Sequence, residues 1–409
     1  MSIDREQVYS KSDLAARPDS AAAWGVTAAT FVSTFVVFGV HYSFGAFFGS
    51  MAEEFGSDRS TTSLFFALTT FLYFILGAYA GHFADTRGPR RVLVVGAVFM
   101  TGGLLALSYI NSIELGYLTY GIGVGVGVAC GYVPMVATVG GWFERHRTTA
   151  LGLAVAGIGV GTLVVVPAAE WSIADRGWRE TYRIMAAASA VLLLLAAIGA
   201  RRPPIGARGE DEPPVLRRMR QANSSFWVLY AAAFFVTIAL FTAFVYLGDY
   251  VATRSIDGSG GTLIALIGIS SVLGRLGLGA LAARTSAIRL YQGSFVVLGG
   301  SFTIWLVAGA SYWMLVLFTI VLGVAYGGFI ALSPAVTAEL FGVQGLGATL
   351  GALYTSAGFG GLIGPPLVGW IIDRSGYTAG ITVAFVAGLI GAACLFLPPV
   401  ERHSQRSTG

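Results

Sequence analysis

Among the charged residues of this chain, Arg275 has the most unusual surroundings. It lies within the apolar stretch from Gly261 to Ala283, and no other Lys or Arg sits deep in any long apolar run. A cation at membrane depth costs roughly 2.5–3.5 kcal/mol on insertion scales, so it is usually kept there to meet something. Its guanidinium is a planar fork that donates two parallel hydrogen bonds, the geometry a carboxylate accepts. Two plainer explanations fit less well. Arg284, at the end of the run, is nine residues further on; that is about 13 Å of helix, and an Arg stem covers only about half of it in snorkelling to the interface. A structural ion pair lacks a partner at the right depth, since Glu170, Asp249 and Glu339 all fall near the ends of their runs. Anion binding is the chemistry that remains.

Other side chains could serve the same site. Ser271 stands one turn before Arg275 on the same helix face, and Tyr42, Tyr73, Tyr132, Tyr246, Tyr326, Phe329 and Tyr354 are ring residues within apolar runs. Two groups could carry a coupling proton: His41, midway along the first run, whose imidazole titrates near neutrality, and Asp249 near the end of the seventh. The glycine-rich stretch Gly121-IGVGVGVACG has the look of a dinucleotide loop. Such a loop needs a preceding strand and a helix N-terminus in water, so close packing of helices is the better reading, as it is for Gly77-AYAG and for Gly351 to Gly364. No nucleophile–base pair, metal cluster or phosphate loop stands in a plausible context, which argues against an enzyme. Cys130 and Cys394 are far apart within apolar runs, so neither a disulfide nor a metal site is expected. No cofactor is implied.

These residues need helices in a bilayer to position them. Of 409 residues, 55% are apolar and 11% charged, against about 25% charged in soluble domains. Twelve apolar runs, from about residues 25–50 to 378–398, reach the roughly 20 residues that a helix needs to cross the hydrocarbon. The expected fold is therefore an all-α membrane protein with twelve transmembrane helices. With both termini on the cytoplasmic side, the inner segments carry eighteen Lys and Arg and the outer segments six, as the positive-inside rule requires. The formal charge of +4 is thus explained by topology and implies no nucleic-acid partner. The first residues lack a short apolar core with a small-residue cleavage site, so no signal peptide is expected.

The Arg- and Pro-rich stretch 201–223 reads as a cytoplasmic linker. It separates a bundle over 25–200 from a second over 224–398, with cytoplasmic tails at 1–24 and 399–409. Two internal repeats support equal halves: Gly81-HFADTRGPRR with Gly279-ALAARTSAIR, and Pro167-AAEWSIADRG with Pro366-LVGWIIDRSG. Each pair is six spans apart, the spacing of two bundles related by an axis along the membrane normal.

The first of these repeats, at the junction of spans two and three, resembles the loop signature of the major facilitator superfamily, G-x-x-x-D-x-x-G-x-R-R. The resemblance covers essentially the whole chain through helix count, linker and repeat. It implies that Asp85, Arg87, Arg90 and Arg91 form a cytoplasmic gate; the second copy departs from the pattern, with Ala283 in place of the Asp. The loop Gly141-Trp142-Phe143-Glu144-Arg145-His146-Arg147 is similar to the signature of monocarboxylate transporters and their bacterial relatives, and Asp19-SAAAWG fits their span-one signature loosely. Gly177-WRETY and Gly327-GFIALSPAVTAELFG are similar to that branch too.

In that branch a span-eight Arg binds the substrate carboxylate and an acid one turn earlier couples the proton. Ser271 replaces the acid here. The related oxalate:formate exchangers add a Lys in span eleven, where this chain offers Tyr354, Thr355 and Ser356, and the span-one Lys of mammalian relatives is Ala46. One fixed positive charge matches one negative charge. The resemblance also implies a substrate-facing Tyr132 and a size-limiting Phe329. The expectation is a secondary transporter of a small organic monocarboxylate anion, working by alternating access as a proton-coupled symporter. It would act as a monomer in the lipid bilayer of the cytoplasmic membrane. Exchange of one anion for another is the alternative. A drug exporter would want a buried carboxylate mid-span in the first half, and a membrane sensor a signalling domain larger than these tails.

Overall fold

The computed structural model describes residues 17–204, 224–282, 284–342 and 346–397. Most of the expected linker and both chain ends lie outside these residues. Among the described residues, eleven helical runs are long and apolar enough to cross a membrane, and the longest, Ala348–Cys394, is interrupted at Gly376 (φ 80°) into two. Twelve crossings result, so the all-α expectation holds.

Short polar signals set the helix ends. Ser20 caps the first span at Ala23 N, Asp58 caps the second at Thr61 N (2.7 Å) and Ser286 caps the ninth at Arg289 N, each satisfying a backbone donor that the helix leaves free. The first span begins at Ala21, earlier than hydropathy places it, and is two helices, Ala21–Tyr42 and Phe44–Phe55, that meet at Ser43. The second, Arg59–Arg87, turns at Gly88 (φ 93°) into Pro89–Leu107; glycine accepts the left-handed turn and proline starts the next helix.

Span four is broken where it matters. Its helices Gly123–Gly131 and Val133–Trp142 meet at Tyr132, because Pro134 has no N–H to give the preceding turn. Just before the break, the Gly131 carbonyl accepts the Ser33 hydroxyl at 2.7 Å. The glycines of this span do pack helices closely. A Cβ on Gly103 would lie 2.7 Å from the Cα of Gly123, and one on Gly127 at 2.7 Å from Met100 Cβ.

Spans five to ten follow as Arg147–Arg176, Trp178–Gly199, Ser224–Thr253, Gly260–Ala282, Ala287–Ala308 and Tyr312–Phe341. The helices before and after the linker form two groups that meet chiefly through span two against span eleven and span five against span eight. Large apolar side chains such as Trp171, Val307 and Trp313 face outward, as a lipid-facing surface requires. Arg275 thus lies on a helix that forms the seam between the groups.

Candidate functional site

Backbone proximity fixes Arg275. A Cβ on Gly327 of span ten would run into the Ser271 carbonyl and stand 2.8 Å from Arg275 N, and one on Gly274 would meet the Val324 carbonyl. Spans eight and ten therefore touch backbone to backbone at the depth of the guanidinium. On the other side, Gly268 packs against Gly159 and Thr162 of span five. From this position Arg275 reaches across the seam, and its Nη1 donates to the Val155 carbonyl at 3.0 Å. The residue is 9% exposed, and Nε and Nη2 are buried without an acceptor among the described residues. Each such donor costs about 1–3 kcal/mol or more. One edge of the fork is thus shielded from water and free for a bidentate acceptor.

Beside it is a small cavity between the two groups. Phe38, Tyr42, Tyr73 and Tyr132 come to it from the first six spans and Tyr326, Phe329 and Tyr354 from the last six. The Tyr326 ring lies under the guanidinium, 5.5 Å from centroid to Cζ. Its hydroxyl shares a hydrogen bond with Tyr42 at 3.0 Å, across the seam. Tyr42 is held by stacking on Phe244 (4.2 Å between centroids, 15° between planes), and Phe38 stands edge-on to Tyr132 at 5.0 Å. The breaks at Ser43 and Tyr132 put Tyr42 and Tyr132 where two helices change direction. Of the residues named from the sequence, Tyr42, Tyr73, Tyr132, Tyr326, Phe329 and Tyr354 come together here, and Tyr326 joins this cavity to Arg275.

Others do not reach it. Ser271 is fully buried, and its hydroxyl is spent on the Gly268 carbonyl of its own helix at 2.7 Å. It packs on span ten rather than lining the cavity. His41 stacks on Phe66 (4.3 Å between centroids), with Nε2 3.2 Å from Thr70 Oγ1 and Nδ1 buried without a partner. It stands behind Tyr42 and Tyr73, one layer from the cavity. Tyr246 donates instead to the Pro365 carbonyl at 2.6 Å.

Asp249 belongs to a different cluster at one end of the molecule. It pairs with Arg59 Nε at 2.7 Å and accepts the Tyr377 hydroxyl, while Arg59 Nη1 reaches Asp373 at 3.0 Å. Arg59 belongs to span two and its partners to spans seven, eleven and twelve, so the cluster ties the two groups together. Glu170 makes a second tie at this end, accepting from the Ser259 hydroxyl and from Gly261 N. From the sequence, Arg59 counts only as one of the six outer charges, and neither Asp373 nor Tyr377 is singled out. The one available signal was Asp373 in the repeat Pro366-LVGWIIDRSG.

At the opposite end, Arg202 donates to the Thr86 carbonyl at 2.6 Å and Arg87 lies over the Phe83 ring. Asp85, Arg90 and Arg91 are exposed on the helix ends that flank Gly88. Here two separate sequence signatures become one unit. The Asp19 carboxylate accepts the backbone N–H groups of Glu144, Arg145 and His146 at 3.1–3.2 Å, and Trp24 packs edge-on to Phe143. These bonds, led by Arg145 N–H, hold the Asp19 carboxyl down at about 2.

Comparison with known proteins gives a consistent picture. A family model described as Major Facilitator Superfamily matches residues 30–310 and 288–409. Monocarboxylate transporter 12 of Xenopus laevis is 25% identical, covering 92% of this chain and 89% of its own length. Monocarboxylate transporter 13 of Rattus norvegicus is 28% identical over 93% and 90% of the two chains, and monocarboxylate transporter 3 of the same species is 29% identical over 87% and 75%. Among solved structures, a mutant of the nucleoside transporter NupG superposes with a TM-score of 0.72 over 92% of this chain and 98% of its own, at 15% identity. That last likeness concerns the fold.

Proposed function

Because this chain belongs to the Major Facilitator Superfamily, whose members are membrane transporters and not enzymes, we propose that it carries a small organic monocarboxylate across the membrane by alternating access. The observation that carries the reading is the buried edge of Arg275, two N–H donors without an acceptor beside a cavity between two helix groups. A carboxylate there gains two charge-assisted hydrogen bonds and neutralises a buried cation. Tyr42 and Tyr326 then offer hydroxyls to its remaining lone pairs. Transport moves the site from one side to the other by rocking bundles 25–200 and 224–398 about the seam. The 81–91 loop, with Asp85, Arg87, Arg90 and Arg91, gates the cytoplasmic end, with both termini on that side of the cytoplasmic membrane. The similar monocarboxylate transporters support the substrate class.

In this reading the anion moves with a proton, for which His41 is the candidate carrier within the membrane. Anion exchange is the second reading, favoured by one observation: no Asp or Glu is buried beside Arg275 among the described residues. Purified protein in liposomes should take up labelled monocarboxylates, with Arg275→Ala abolishing uptake and Arg275→Lys impairing it. Undiminished uptake by Arg275→Ala overturns the site. Acceleration by an inward proton gradient supports symport, whereas acceleration only by an anion loaded on the far side supports exchange.

A further inference from the structure

The surroundings of Arg275 restrict the part of the substrate that is not the carboxylate. We infer that the carried anion has an aromatic tail: an arylcarboxylate, in preference to amino acids, hydroxy acids and dicarboxylates. The inference rests on the reading of Arg275 as the carboxylate ligand and adds what the cavity would do with the rest of the molecule.

Charge excludes two classes. No Asp or Glu is buried among the described residues, so the ammonium of an amino acid would enter a dry site with no counter-charge. No Lys or Arg besides Arg275 is buried either, which leaves a second carboxylate uncompensated. The walls speak to the third class. Ring side chains enter from both helix groups, with Ile158, Leu240 and Ile330 filling the gaps between them. Tyr326, whose ring lies under the guanidinium, bonds the Tyr42 hydroxyl, and both hydroxyls are wanted by the carboxylate. The remaining hydroxyls of the lining are those of Tyr73, Tyr132, Tyr354 and Thr237, the last bonded to carbonyls of its own helix, so a hydroxylated tail would exchange water for a few hydroxyls set among ring faces and aliphatic groups.

Shape points to a ring. The cavity encloses about 30 Å³, room for about one water, so any substrate must part its walls. A flat ligand does so by the least movement, because it enters between ring faces and edges that already prefer offset or edge-on neighbours. Phe38, edge-on to Tyr132 and close to Tyr42 and Tyr73, is the wall residue best placed to meet it.

The test is ligand-induced thermal stabilisation of the purified full chain by benzoate, phenylacetate, acetate, lactate, phenylalanine and succinate, with direct titration for those that shift the melt. Benzoate or phenylacetate should bind about two- to tenfold more tightly than acetate or lactate, the size of one favourable aromatic contact. Phenylalanine and succinate should give no shift, and Arg275→Ala should remove the effect of the aryl acids. Phe38→Leu, which keeps apolar bulk, should weaken benzoate more than acetate. Arg275-dependent binding of lactate, phenylalanine or succinate as tight as that of benzoate overturns the aromatic tail and leaves the carboxylate reading standing. Binding of none of the six acids overturns both.

Discussion

A buried guanidinium with one acceptor, the Val155 carbonyl, and two unpartnered donors is a liability to the fold that a thioether of similar length does not carry. Arg275→Met should therefore raise the melting temperature of the solubilised protein while abolishing transport. Replacing buried ionic groups by apolar ones of similar size has given gains of about 1–4 kcal/mol. A lower melting temperature for Arg275→Met would mean that the Val155 bond outweighs the two unpartnered donors. Asp19 shows the reverse economy. Its carboxyl titrates at about 2 in the folded chain against 3.8 ordinarily, so the stability it adds is fully present above about pH 4–5 and fades as pH falls through about 2. The difference in melting temperature between wild type and Asp19→Ala should persist from pH 7 to 5 and shrink below pH 4. A difference that grows on acidification contradicts the assignment. Arg275 was legible because charge in an apolar run is conspicuous from local sequence. Asp19 and the 144–146 backbone were seen only as fragments of two signatures, since their bonds span 125–127 positions. Ser271 misled because helical spacing gives the face but not whether a hydroxyl bonds its own backbone.

At the scale of helices, the site depends on residues that carry no chemistry. Gly327 lets span ten approach Ser271 and Arg275 backbone to backbone, whereas Gly293, in span nine, has nothing within 4 Å of where its Cβ would be. Gly327→Ala should move span ten, lower stability by about 1–3 kcal/mol as overpacking does, and reduce transport; Gly293→Ala should do neither. Thermal melts and uptake by the two variants check this, and equal behaviour removes the backbone contact as a determinant of the site. Twelve spans were legible from hydropathy, and Gly88-Pro89 and Pro134 marked a turn and a break. The break at Ser43 was not, because no proline announces it: the Ser43 hydroxyl bonds the Val40 carbonyl and Gly45 fits under the Phe244 carbonyl. That break carries Tyr42 to the cavity, so its role could be guessed from residue type but not placed.

Across the whole molecule, the decisive contacts lie between groups of helices that sequence separates by hundreds of residues. Arg59 bonds Asp373, 314 positions away, and a reader of the sequence sees only two charges at the ends of apolar runs. Together with Asp249, Tyr377 and the separate Glu170 tie to Gly261 N, this pair links the two groups at one end of the seam. The proposed alternating access requires that end to open, and on that proposal these ties must be strong enough to set a resting state and weak enough to break in each cycle. The Arg59, Asp249 and Asp373 side chains are 26%, 12% and 24% exposed, so water still reaches each pair and keeps its contribution to the order of 1 kcal/mol, the top of the range for exposed pairs. Removing Arg59 breaks both of its pairs, and Glu170 shares no residue with them, so the two effects should add. A thiol placed at Phe48, which is buried against Tyr246 behind the cluster, reports the opening in a background with Cys130 and Cys394 replaced. Arg59→Ala should speed its labelling by an impermeant maleimide, and the double variant Arg59→Ala/Glu170→Gln should speed it further, roughly 5–30-fold for a shift of 1–2 kcal/mol. Labelling of the double variant at the wild-type rate would show that packing alone, such as Gly45 beneath Phe244, keeps that end closed, and the charged ties would then have no part in the transport cycle.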